Sequence, residues 1–151
     1  MARRMTTTTL EHVYEAMRRL RPDFVIAGSQ HPPDDAALDA LAARLGVTLP
    51  TIYRELARNL GPFVVERGDE GLELYAIAED APPELDVEHV SAKLAARTGA
   101  MRVVVMRRIG DPRRWILEPD GKVRSFDPRD AALGEPEELA DVIERELVSL
   151  R

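Results

Sequence analysis

The chain contains no cysteine, which excludes disulfides, thiolate-ligated zinc and thiol nucleophiles. Lysine occurs only at Lys93 and Lys122, so almost all of the positive charge is arginine. No apolar run approaches the roughly 18–20 residues of a membrane-spanning helix. The opening MARRMTTTTL places two arginines ahead of no apolar stretch, which is not the pattern of a secretory signal. A cytoplasmic protein is expected. What is present is ordinary for a soluble globular protein: 151 residues, 44% hydrophobic and 32% charged. This length suits one domain over 1–151, and such a chain buries roughly 68–70% of its unfolded surface without help from a metal or a cross-link.

The net charge of −6 is unevenly placed. Residues 61–100 hold nine acidic side chains against three basic ones (Arg67, Lys93 and Arg97), while the flanking segments are nearly neutral. Glu66, Asp69, Glu70, Glu73, Glu79 and Asp80 fall within fifteen residues. Because side chains alternate along a strand, Glu73 points away from Leu72 and Leu74. The six acids are therefore expected to form one negative surface, suited to a basic protein partner.

Hydrophobic spacing divides the chain into elements. Thr8 and Glu11 have capping-box spacing, and Leu10, Val13, Tyr14, Met17 and Leu20 follow on one helical stripe as far as Arg21 and Pro22. Phe24–Ile26 is a short apolar run, either a strand or a buried loop. Asp34 or Asp35 caps a helix carrying Leu38, Leu41 and Leu45, which Gly46 ends. Pro50 is tolerated in the first turn of the next helix, which turns Ile52, Leu56 and Leu60 inward and Thr51, Arg54, Glu55 and Arg58 outward. Strands are expected at Phe63–Val65 and Leu72–Ile77, then a helix through Val87, Val90 and Leu94 to Gly99. Val103–Met106 is a strong β run, and Trp115–Leu117 and Val123–Phe126 form a hairpin across Asp120-Gly121. Pro136 opens a last helix, with Glu137 and Glu138 at its positive end and Leu139, Val142, Ile143, Leu147 and Leu150 on its core stripe. These elements predict an α+β domain, its N-terminal helices and C-terminal helix packed on a mainly antiparallel sheet.

No catalytic constellation emerges. His12 and Glu15 lack the further ligands that a zinc site needs. Ser29 and His31 have no orienting acid or oxyanion motif. The glycines are scattered as caps and turns, not gathered into a phosphate loop. No metal or cofactor is expected. The arginines of MRVVVMRRIGDPRRW flank a strand, and nearby acids such as Asp111 and Glu118 account for them.

The segment LAARLGVTLPTIYRELARNLGPF, residues 41–63, has nearly the spacing of a helix-turn-helix. Read that way, Thr51, Arg54 and Arg58 would face DNA and Phe63–Ile77 would form the wing of a winged-helix regulator. The stretch VVERGDEGLELYAIAED that would supply the wing carries six acids and one arginine, where phosphate contacts need positive charge. Its helix also stops early, at Gly61-Pro62, and residues 86–151 are left without a role.

The same segment resembles the core signature of the SUKH superfamily, the Smi/Knr-like proteins. Leu45-Gly46, Leu49-Pro50, Tyr53, Leu56 and Gly61 match its pattern, WILEPDGKVRSFDP resembles its strand–Asp-Gly–strand segment, and EPEELADVIERELVSL its closing helix. The usual Asn-Gly pair is split here as Asn59-Leu60-Gly61. The late Gly-Asp motif is reduced to Gly110-Asp111. The resemblance implies a SUKH-like domain over the whole chain, without catalytic residues, that binds another protein. Many such bacterial proteins are immunity proteins that neutralise a toxin, often a nuclease.

Overall fold

The structure, a computed structural model, describes residues 7–28, 32–59, 62–75, 77, 86–129 and 132–150. Helix α1 spans Thr7–Arg18 and strand β1 spans Val25–Gly28. Helix α2, Asp35–Leu45, begins at Asp34, whose carboxylate accepts the Ala37 amide at 2.8 Å. The amides of Gly46 and Val47 return to the carbonyls of Ala43 and Ala42 and close its end. Helix α3, Thr51–Asn59, follows directly on Pro50. Strands β2, Phe63–Arg67, and β3, Glu70–Leu74, make a hairpin. Helix α4, Val87–Thr98, starts where the Asp86 carboxylate accepts the amides of Glu88 and His89. Strands β4 (Val103–Ile109), β5 (Arg114–Leu117), β6 (Lys122–Asp127), β7 (Ala132–Leu133) and β8 (Glu137–Glu138) precede helix α5, Leu139–Val148.

The fold is α+β, as predicted. The strands form one eight-stranded sheet in the order β1-β2-β3-β4-β5-β6-β7, with β8 also on β6, and every pairing is antiparallel. Two expectations are corrected. Helix α1 ends at Arg18 instead of near Arg21. Glu137 and Glu138 do not sit in the first helical turn: behind Pro136 they run extended and pair with Val123 and Lys122, and the helix starts at Leu139.

The two faces of the sheet are different. Leu72, Leu74, Met106 and Trp115 share one face, and α5 lies over it: Arg108, cross-strand from Leu72, donates to the Glu146 carbonyl at 3.2 Å and to Ser149 Oγ at 2.7 Å. Helix α1 packs against α5. The opposite face carries Glu73, Tyr75, Arg107 and Arg114, and α4 covers part of it. The register shifts between Val104 and Met106, and with helices on both faces Val103, Val104, Val105 and Met106 are all buried. Beside that bulge the Val104 amide donates to Ser91 Oγ of α4 at 2.9 Å. Ile52 and Leu56 of α3 are buried as expected; Tyr53 is buried beside them, and burial raises its phenol far above the ordinary range. The β5–β6 turn rests on the start of α3, with Gly121 against Ile52 and Pro50.

Candidate functional site

The β2–β3 hairpin brings part of the acidic segment to one end of the sheet. Glu66 and Asp69 are exposed, and among the described residues neither carboxylate has an ion-pair partner. Glu70 takes the Arg67 guanidinium at 2.7 Å, and Arg67 also reaches Asp23 at 3.0 Å while lying 5.1 Å from the centre of the Phe24 ring. Glu70 and Asp23 thus hold the Arg67 guanidinium above its already high range. The end of the hairpin carries Asp23, Glu66, Asp69 and Glu70 against one arginine, so it is negative on balance.

Glu73 does not belong to that surface. It points away from Leu72 and Leu74, as alternation requires, but it is only 2% exposed. Its carboxylate accepts Arg107 Nε at 2.6 Å across the β3–β4 pairing. Burial raises its pKa, and Arg107 only partly offsets this. The expected negative face is therefore smaller than the run of acids implied. A period-2 pattern tells which way a side chain points, not what covers that side. Glu79 and Asp80 lie outside the described residues.

The apolar run at residues 24–26 places only Phe24 in the core. Val25 and Ile26 are 60% and 51% exposed on β1, which is the edge strand beside the acidic hairpin. Val25 sits opposite Glu66 in the register, so an apolar edge and acidic side chains adjoin. The short run alone does not distinguish a strand at the edge from one in the centre.

The residues of the DNA reading are placed otherwise. Arg54 donates to Asp39 at 2.6 Å and Arg58 to both oxygens of Asp35 at 3.1 Å, so α2 engages both guanidinium groups. Thr51 opens α3, half-buried. Strands β2 and β3 are inner members of the eight-stranded sheet instead of a free two-stranded wing. Most arginines of the segment from 102 to 114 are also paired: Arg107 with Glu73, and Arg108 and Arg113 with the buried Glu146. Arg113 also lies 5.4 Å from the centre of the Trp115 ring.

Among the described residues no group of three or more histidine, aspartate or glutamate side chains is placed to hold a metal ion, and no helix is long and apolar enough to cross a membrane. No protein-family model, no curated protein and no solved structure matches this chain.

Proposed function

We propose that this protein is a non-catalytic binding module whose partner is a basic protein surface. The observation that carries the reading is the junction of β1 and the β2–β3 hairpin. There, exposed Val25 and Ile26 adjoin Glu66 and Asp69, whose charges have no counterpart among the described residues. An edge strand offers unpaired backbone groups as well as apolar side chains, and an apolar centre with a charged rim is common anatomy for a transient interface. The acidic rim selects a partner of opposite charge and speeds its approach. Neutralisation of a toxin, such as a nuclease with a basic substrate-binding surface, is the form of this activity that the Smi/Knr-like resemblance implies.

The test uses Glu66→Lys, Asp69→Lys and Glu70→Lys together, since these side chains reach solvent whereas Glu73 is locked to Arg107. A partner is captured on the wild-type chain, and its association rate with both proteins is measured across ionic strength. The reading requires slower association of the triple variant and a weaker salt dependence. Equal rates at low salt would sink it. For the immunity form, the captured partner must also be toxic when expressed alone and harmless when co-expressed with this chain.

A further inference from the structure

A cavity of about 270 Å³ lies between α4 and the sheet face that carries Glu73. Its charge is opposite to that of the chain as a whole. His89, Lys93 and Arg97 recur every four residues along α4, so they stand on one edge of the helix and line one wall. Arg107 and Arg114, directly cross-strand from each other on β4 and β5, line the facing wall. Like charges at four-residue spacing weaken a helix, and like charges directly opposed weaken a strand pair. Both unfavourable arrangements meet at the same cavity, in a chain of net charge −6.

Among the described residues the protein's own groups compensate them incompletely. Glu73 takes Arg107. Arg114 donates to the carbonyls of Asp111, Pro112 and Arg113, which hold it in place without cancelling its charge. Among the described residues Arg97 reaches only the Pro128 carbonyl, at 3.5 Å. Lys93 and the His89 imidazole have no hydrogen-bond or ion-pair partner among the described residues. The floor is apolar, formed by Leu94, Val104 and Phe126. Tyr75 adds a hydroxyl whose pKa burial raises, against the opposing pull of Arg114 and Arg107.

We propose that this cavity binds a small organic anion, with a carboxylate or phosphate head held by Lys93, Arg97 and Arg114 and an apolar body resting on Leu94 and Phe126. Arginine and lysine form charge-assisted hydrogen bonds to either head group. The apolar floor distinguishes such a ligand from a bare inorganic ion. A few convergent polar groups above an apolar lining are the usual composition of a small-molecule site, and this one lies near the lower end of the usual size range. It is separate from the acidic edge and does not depend on the protein-binding role.

Titration calorimetry with benzoate, phenyl phosphate and inorganic phosphate tests the assignment. Saturable binding of benzoate or phenyl phosphate is expected at millimolar concentration or below, tighter than that of inorganic phosphate, and the preferred aromatic probe identifies the head group. The Lys93→Gln/Arg97→Gln variant changes only exposed helix positions, and circular dichroism verifies its fold. It should lose about tenfold or more in affinity, while Arg18→Gln on α1 binds as the wild type does. Absence of saturable binding by either aromatic probe up to about 10 mM, inorganic phosphate binding as tightly as both, or unchanged affinity in the double variant would overturn the proposal.

Discussion

Glu73 and Arg107 are joined across neighbouring strands at 2.6 Å, yet they differ sharply in exposure: the Glu73 side chain is 3% exposed and that of Arg107 33%. The pair is therefore asymmetric. Removing the glutamate leaves a guanidinium that can turn toward water, whereas removing the arginine strands a carboxylate beneath the surface. Glu73→Gln should cost about 1 kcal/mol, the scale of one hydrogen bond. Arg107→Met should cost more, toward the low end of the ~3–5 kcal/mol lost when one partner of a buried pair is deleted. Urea denaturation of the two variants checks the order, and equal losses would contradict it.

The same pair sets a pH dependence. Burial raises the Glu73 pKa, so the folded chain holds that proton more tightly than the unfolded chain. This group's contribution to stability is fully present below its unfolded pKa and is lost as the pH rises through its folded pKa. Without Arg107 the pKa rises further. The penalty of Arg107→Met should therefore be larger at neutral pH than in mild acid, and Glu73→Gln/Arg107→Met should remove that trend. Denaturation midpoints measured from neutral pH into mild acid would reveal it.

Arg54 and Arg58 act as a clamp between α3 and α2. Exposed ion pairs contribute little, so Arg58→Ala should lower stability by about 0.2–1 kcal/mol, with Arg54→Ala at or above the upper limit because Arg54 is only 21% exposed. Neither guanidinium is free for phosphate, so fluorescence anisotropy with labelled duplex DNA at low salt should show no saturable change. Tight binding abolished by the two alanines would restore the helix-turn-helix reading.

Leu56 is fully buried in α3. Leu56→Ala should cost about 2–5 kcal/mol, the range for a leucine truncated in a packed core. The single tryptophan, Trp115, is also fully buried and offers a fluorescence signal for the measurement. A loss under about 1 kcal/mol would mean that the site collapses around the missing methyl groups.

Gly110 links the acidic hairpin to the β4–β5 turn. Its φ is +86°, and a Cβ there would lie 2.2 Å from the Asp69 carbonyl oxygen. Gly68 has φ +60° with open space around it. Gly68→Ala should therefore cost only the left-handed backbone strain, about 1–2 kcal/mol. Gly110→Ala adds a clash with backbone and should cost more, while shifting the amide NMR signals of Asp69 and Glu70. Equal costs for the two would contradict the contact.

Much of this fold was legible because its signals are local. Asp34 and Gly46 bracket α2, Asp120-Gly121 turns between β5 and β6, and the apolar spacing of Leu139, Val142, Ile143 and Leu147 outlines α5. What escaped depends on neighbours distant in the chain. The two-residue strand at Glu137–Glu138 exists because β6 has an edge to pair with. Glu73 is covered because β4 places Arg107 beside it. In α4 the apolar stripe of Val87, Val90 and Leu94 marks the helix, and the four-residue spacing of His89, Lys93 and Arg97 is equally visible but has no partner within the helix. Their significance appears only once Arg107 and Arg114 stand opposite.

The sheet order follows the chain order, which bears on how the molecule comes together in time. Along the main path each strand pairs with the one before it, so sheet growth closes only loops between chain neighbours and incurs modest entropic cost at each step. The docking of α1 on α5 is different, because it joins the first and last described helices and closes nearly the whole chain at once. Rapid sheet zipping followed by a slower sealing step is the expected kinetic order. A nascent chain still lacking α5 would expose the Leu72, Leu74, Met106 and Trp115 face until the final helix arrived.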